Sequence, residues 1–366
     1  MDVRDLDTPA LVVDLDQLER NIGAMADGVY AAGARLRPHT KTHKTPEVAR
    51  LQLQRGATGL TVAKLGEAEV MADAGFDDLL IANEIIGTPK LHRLARLARR
   101  IRVRSCVDSL AGARMLSSVA VAAGVRCEVL LDVNTGLNRA GVAPDEAVAL
   151  GTAIGALPGL VLAGVFSYAG AAPGAPASDA HRAWAVHEAE TAVAIARELQ
   201  ARGFPATEVS VAGTSSAVYA AATPGVTEVR PGTYVFNDMN YSRLGISAVE
   251  RCALRIHSRV VSRPAPDRAV IDAGSKVLTT EKRTLGGEDP GFGFIEALPG
   301  TRIAALWEEH GVLRLDDDGR QLAVGDVIAI IPNHVCPTIN LADSWYGIRG
   351  GTVEQEYAIA ARGRTR

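Results

Sequence analysis

At about 150 residues per compact unit, a chain of 366 residues holds two to three such units, or one barrel with an appendage. Apolar residues at 47% and charged residues at 22% exclude disorder, collagen and coiled coil as descriptions of the whole chain. Against 42 Asp and Glu there are 39 Lys and Arg, a formal charge of −3; this is not the basic excess that nucleic acid or an anionic membrane surface attracts, so a small-molecule partner is expected.

The opening MDVRDLDTPALVVDLDQ is acidic and lacks the basic start and apolar stretch of a secretory signal, and no apolar run is long enough to span a bilayer. Cys106, Cys127, Cys252 and Cys336 are far apart, with no CxxC, which suits a reducing compartment. A complete, cytosolic chain is expected. From 34 to about 245, short apolar or β-branched runs alternate with longer helical patterns. The strand candidates are 34–40, 59–63, 78–83, 101–107, 127–133, 160–167, 208–213 and 227–231. Helical patterns fall between them at 45–55, 65–74, 89–100, 109–123 and 180–202. Eight parallel βα units predict an α/β fold, a closed (β/α)8 TIM barrel over 15–245, whose functional side chains stand at the C-terminal ends of the strands. The Gly, Ala and Pro-rich stretch 169–179 follows the sixth strand candidate and reads as a mobile rim loop or lid. After 246 the pattern changes to strands parted by Gly, Asp and Pro turns, predicting a mostly β domain over 246–366 that also takes the N-terminal strand within 1–14.

Chemistry-bearing residues are densest in Arg37-Pro38-His39-Thr40-Lys41-Thr42-His43-Lys44, at the end of the first barrel strand, which holds two of the six lysines. A lysine in a barrel mouth, partly desolvated among other cations, has its pKa lowered toward the range where a free amine attacks a carbonyl or holds a Schiff base, and Lys41 is the candidate. The same residues also suit a solvated basic loop before a helix capped at Thr42 or Thr45. His39 and His43 stand four apart, but Pro38 and the strand pattern spoil a helical metal-binding face.

Three further groups follow. In Asp132 to Gly141, the glycines permit a tight turn over the mouth and Arg139 offers a planar fork to an oxyanion; a turn with a solvated arginine fits as well. Ala212-Gly213-Thr214-Ser215-Ser216 and Arg230-Pro231-Gly232-Thr233-Tyr234 end the seventh and eighth strands, where barrels commonly cradle a phosphate with backbone N–H groups and hydroxyls. No GxxxxGK[ST] occurs, and no GxGxxG follows a strand. In Pro332-Asn333-His334-Val335-Cys336, an extended chain would put His334 and Cys336 on one face, where imidazole and thiolate share a cation in an open site; a buried structural cysteine beside a satisfied histidine is the other reading.

Taken together, these groups resemble the fold type III pyridoxal phosphate enzymes, specifically the D-serine dehydratase and D-threonine aldolase family with its alanine racemase-like barrel. The resemblance rests on the opening Asp7 to Asp14, RPHTKTHK, NTGLNRAG, Tyr168 in FSYAG, VRPGTYVFND, IDAGSK and PNHVCPTINLAD. It implies that Lys41 carries pyridoxal 5'-phosphate and takes the α-proton. Arg139 would lie near the ring oxygen and Tyr168 near the ring, with Gly213, Thr214, Gly232 and Thr233 at the phosphate. His334 and Cys336 would ligate a divalent metal from the β domain, of the same chain or of a neighbouring subunit in a homodimer. In the family, Cys at the second metal position resembles the zinc-dependent dehydratases, whereas Asp is typical of the aldolases, and thiolate favours zinc. The implied reaction dehydrates a D-β-hydroxy amino acid such as D-serine, D-threonine or D-3-hydroxyaspartate to a 2-oxo acid and ammonia. The other outcomes are D-threonine aldolase chemistry, giving glycine and acetaldehyde, and a non-catalytic cofactor carrier. A racemase is disfavoured because no tyrosine stands in the context a second catalytic face needs.

Overall fold

The computed structural model describes residues 1–170, 179–282 and 289–366. The chain divides into two compact units: 23–41, 46–232 and 364–366 form one, and 1–22, 42–45 and 233–363 form the other. None of the described helices is long and apolar enough to cross a membrane.

The larger unit is the eight-stranded parallel sheet that the sequence predicts. Its strands are β2 (Arg35–Leu36), β3 (Leu60–Val62), β4 (Asp78–Glu84), β5 (Arg102–Val107), β6 (Cys127–Val133), β7 (Leu160–Ser167), β8 (Glu208–Val211) and β9 (Glu228–Val229). They follow the order β2-β9-β8-β7-β6-β5-β4-β3, and a parallel bridge between His39 and Thr61 closes the ring. The crossovers are α2 (Pro46–Gln54), α3 (Leu65–Asp73), α4 (Thr88–Leu97), α5 (Leu110–Ala123), α6 (Pro144–Gly155), α7 (Asp179–Ala201) and the short α8 (Ala217–Ala221). Local chemistry marks their ends. The Ser109 side chain accepts from the Gly112 N–H to start α5, and Gly124, at φ 63°, stops it in the left-handed region. Of the expected lid at 169–179, residues 171–178 lie outside the described residues, and 179 opens α7.

At the N-terminal ends of its strands the barrel is filled by charge. Arg37 Nε donates to Glu228 at 2.7 Å and its Nη1 to Asp78 at 2.7 Å, while Arg104 donates to Glu208 at 2.5 Å and also to Asp78. β5 and β8 are three places apart in the sheet, so Arg104 reaches Glu208 across the barrel interior. Burial alone would raise the Glu228 carboxyl, but the charges of Arg37 and Arg104 and the hydrogen bonds from Arg37 and Ser210 hold it below the usual glutamate range. With Arg37 2% and Glu228 0% exposed, Glu228→Gln leaves a buried guanidinium short of a partner and is expected to destabilise the unit by about 3 kcal/mol, read as a lowered thermal midpoint. The lowered carboxylate pKa gives the sign of the pH effect: this contribution is present above the usual glutamate pKa and is lost as pH falls through the lowered value.

The smaller unit is a nine-stranded sheet. Strand β1 (Ala10–Asp14) lies between β10 (Leu254–Ala265), antiparallel, and β16 (Ser344–Arg349), parallel. The path is β13 (Arg302–Leu306), β14 (Gly311–Arg314), β11 (Arg268–Ile271), β10, β1, β16 and β17 (Thr352–Ala358). On a side branch, β15 (Val327–Ile331) pairs with both β10 and β12 (Phe294–Ile295). Helix α1 (Leu15–Ala31) leaves β1, and α9 (Met239–Arg243), α10 (Ser275–Leu278) and α11 (Val335–Leu341) are short. Within this unit Trp345 stacks on Tyr357 at 4.2 Å, and its indole N–H donates to Thr45 Oγ1 at 3.2 Å.

Candidate active site

The basic segment that follows β2 is not a solvated loop. Arg37, His39, Thr40, Thr42, His43, Lys44 and Thr45 are all buried, and Lys41 is half-buried. The Thr40 N–H donates to the Thr61 carbonyl and the Thr61 N–H to the Pro38 carbonyl, which carries the chain up the barrel wall to Lys41. In the barrel unit the Lys41 ammonium stands 5.9 Å from the centre of the Tyr168 ring, and the Arg139 guanidinium stands 5.7 Å from the same ring. Tyr168 follows the end of β7, and Arg139 belongs to the turn after β6. In that turn Asn134 Oδ1 accepts from the N–H groups of Gly136 and Asn138. Gly141, at φ 97°, has no room for a side chain, since a Cβ would lie 2.6 Å from the Asn134 nitrogen.

The exits of β8 and β9 complete the group. A Cβ on Gly213 would come within 2.8 Å of the Tyr168 ring, so glycine lets the backbone close against it. The Gly232 N–H donates to Thr214 Oγ1 at 3.1 Å, joining the two strand ends. Lys41, Arg139, Tyr168, Gly213, Thr214 and Gly232 are thus brought together at the C-terminal ends of the strands. Thr233, expected beside Gly232 at a phosphate, lies in the smaller unit, where its hydroxyl is 3.8 Å from the Cys336 sulfur.

Arg230 is a residue the sequence reading passed over. It is buried over the Phe166 ring at 3.8 Å, donating to Ser210 Oγ at 2.8 Å and to the Ser167 carbonyl at 2.5 Å. Burial, the hydrogen bond with Glu84 and the Glu84 charge hold Asp132 well above the usual carboxylate range despite the Arg230 charge. The signal was a charged residue in a strand-end RPG turn.

The expected extended His-x-Cys geometry is corrected by the structure. His334 is the extended residue before α11, and Cys336 sits in the helix's first turn. Pro337 does not end a strand there. It stands in the same first turn, where proline's missing N–H leaves no intrahelical bond unmade. The two side chains nevertheless hydrogen-bond to each other. Burial would lower the His334 imidazole, but the Cys336 hydrogen bond and charge, with Asp238 and Glu281, raise it to about 10. His334 Nδ1 is 2.7 Å from Glu281 Oε2, and Thr42 Oγ1 is 3.2 Å from the Cys336 sulfur. Asp238 fixes the local backbone, accepting from the Val335 and Tyr241 N–H groups at 3.1 and 3.0 Å. No cluster of three or more His, Cys, Asp and Glu able to hold a metal occurs among the described residues. Thr42 and Asp238 stood in RPHTKTHK and VRPGTYVFND with nothing to tie them to the pair, and Glu281 carried no mark at all, because each meets the pair only through the fold.

The family model for the alanine racemase N-terminal domain matches residues 13–240, and that for a serine dehydratase domain matches 253–348. The chain is 36% identical over 365 residues to D-threonine aldolase of an Arthrobacter species, covering 99% of this chain and 94% of that protein. It is 36% identical over 354 residues to D-threo-3-hydroxyaspartate dehydratase of Delftia sp. HT23, covering 91% and 92%. Structures of a D-threo-3-hydroxyaspartate dehydratase include one with a histidine replaced by alanine, with a TM-score of 0.90, and a metal-free form with a cysteine two positions further on replaced, with a TM-score of 0.89; each is 33% identical, and the shares covered are 98% and 96% for the first and 98% of both chains for the second. The D-threonine aldolase of Filomicrobium marinum superposes with a TM-score of 0.88 at 38% identity, covering 98% of this chain and 97% of that one. With both units matched and this identity sustained along nearly its whole length, the chain belongs to the D-serine dehydratase and D-threonine aldolase family built on the alanine racemase N-terminal domain.

Proposed function

We propose that this protein is a pyridoxal phosphate lyase with a divalent metal, acting on D-β-hydroxy amino acids, and that it dehydrates D-serine, D-threonine or D-3-hydroxyaspartate to a 2-oxo acid and ammonia. The observation that carries dehydration is the His334 and Cys336 pair. A nitrogen and a sulfur donor suit zinc better than magnesium or manganese, and the related dehydratase was altered at a histidine and a cysteine in the same spacing.

The residues present fit the cofactor. A lysine amine and a guanidinium face one aromatic ring, and the bare Gly213 backbone closes against that ring beside the joined exits of β8 and β9. Lys41 would hold the cofactor's aldehyde carbon, Tyr168 and Arg139 its ring, and Gly213, Thr214 and Gly232 its phosphate. They fit the metal as well: His334 and Cys336 would supply the donors, and Glu281, against Nδ1 of the imidazole, fixes the ring's orientation. When bound, the cofactor withdraws electrons from the substrate's Cα and the metal eases departure of the β-hydroxyl. The protein's own part is proton transfer and orientation. Lys41 Nζ takes the Cα proton, and the Tyr168 ring keeps the ammonium close to the site between transfers. Within the smaller unit Thr42 lies against Cys336 and steadies the sulfur.

The level of identity to two D-threonine aldolases supports a second reading, cleavage to glycine and an aldehyde. Incubation of the loaded protein with D-threonine separates the two. The expected product is 2-oxobutanoate with ammonia; glycine with acetaldehyde as the main products would establish the aldolase.

A further inference from the structure

Helix α7 turns three polar side chains toward the backbone of the loops that follow β7 and β8. At the helical spacing 181, 184 and 188 these residues share one face. His181 Nε2 lies 3.0 Å from the Ser215 carbonyl, the Trp184 indole N–H donates to the Ala169 carbonyl at 3.3 Å, and Glu188 Oε1 accepts from the Ala212 N–H at 3.0 Å. The contacted residues flank the candidate cofactor groups: Ala169 follows Tyr168, Ala212 precedes Gly213, and Ser215 follows Thr214.

Two features single out Glu188. Ala212 has a φ of 65°, in the left-handed region that an L side chain adopts only against a steric penalty. That penalty falls one residue before the glycine that closes on Tyr168, and the Ala212 N–H at this position is taken by a carboxylate that is 0% exposed. The second oxygen of Glu188 is buried with no hydrogen-bond partner. Even with the Arg230 charge acting on it, a fully buried carboxylate is an expensive acceptor for the Ala212 N–H, and the expense is consistent with a conformation that would otherwise relax. Burial lifts the Glu188 carboxyl to about 7 against the pull of the Ala212 N–H and the Arg230 charge.

We infer that Glu188 is a positioning residue for the cofactor: its carboxyl clamps Ala212 in the left-handed conformation and thereby holds Gly213 and Thr214 where the phosphate is received. This rests on the pyridoxal phosphate reading, and the test keeps the two apart. Cofactor-free protein is titrated with pyridoxal phosphate, following tryptophan fluorescence and the visible absorbance of the bound cofactor. Glu188→Gln keeps an acceptor and is expected to bind within about threefold of wild type, whereas Glu188→Met fills the same space without one and is expected to bind about 30-fold more weakly. Because glycine occupies the left-handed region freely, Ala212→Gly added to Glu188→Met is expected to recover most of that loss. A structural defect elsewhere would not be repaired at position 212. Wild type that takes up no pyridoxal phosphate overturns the cofactor reading. Wild-type affinity in Glu188→Met, or a loss that Ala212→Gly leaves in place, overturns the clamp alone. If Glu188→Met fails to fold, folding restored by Ala212→Gly supports the clamp and folding not restored overturns it.

Discussion

Lys41→Ala is expected to abolish the visible band of bound pyridoxal phosphate and to lower kcat/KM for a D-β-hydroxy amino acid by about 10,000-fold, the upper range for losing a positioned proton-transfer group. The next lysine along the chain, Lys44, is buried in the smaller unit with a backbone φ of 53°, and its carbonyl accepts from the Ala361 N–H. Lys41 instead projects toward the Tyr168 ring in the barrel unit. Borohydride treatment of the loaded wild type followed by peptide mapping should place the reduced adduct in the peptide spanning 38–44, at Lys41. An unchanged visible band in Lys41→Ala, or an adduct on Lys44, would move the attachment point and undo the assignments built on it.

The barrel was legible because its strands are short apolar or β-branched runs between helical patterns, and β6 and β7 match their expected spans residue for residue. β2 and β9 are shorter than the 34–40 and 227–231 expected, for a reason also present in the sequence. Pro38 and Pro231 have no N–H to continue a ladder, so regular pairing stops before them and only single bonds carry on, such as the His39 N–H to the Pro231 carbonyl. What the sequence could not mark was which side of a strand faces the barrel interior. Arg102-Val103-Arg104 alternates as a half-exposed strand does, yet Arg102 lies on the rim and Arg104 is fully buried in the charged layer.

The site divides the same way. Lys41, Arg139 and the glycine turns could be read because barrel topology sends every strand end to one mouth, so position in the chain implied proximity, whereas Tyr168 entered only through the family resemblance. His334 and Cys336 were found as a pair for a partly wrong reason: period-two spacing in an extended chain was expected, whereas a helix start brings them together. Thr42 and Cys336 meet across 294 positions of sequence, and Glu188 reaches Ala212 from a helix whose pattern reads only as amphipathic. Contacts of that kind follow from tertiary packing, and no local spacing encodes them.

Removing the metal should separate the two halves of the chemistry. Treatment with a chelator, or Cys336→Ala, is expected to lower the rate of β-elimination by about 1,000-fold, the several kcal/mol that a divalent cation contributes to a developing oxyanion. The visible band of the cofactor should persist, because Lys41, Tyr168 and Gly213 belong to the barrel unit and depend on none of the metal donors. Added zinc should restore the chelated wild type but not Cys336→Ala. On the proposed ligand set, Cys336→Asp offers a hard oxygen donor in place of the sulfur and should shift the preference from zinc toward manganese or magnesium. The imidazole should keep its orientation in that variant, since Glu281 holds its Nδ1 independently of position 336. Full elimination activity after complete chelation, verified by metal analysis, would show that the hydroxyl departs without a cation and would return His334 and Cys336 to a structural role.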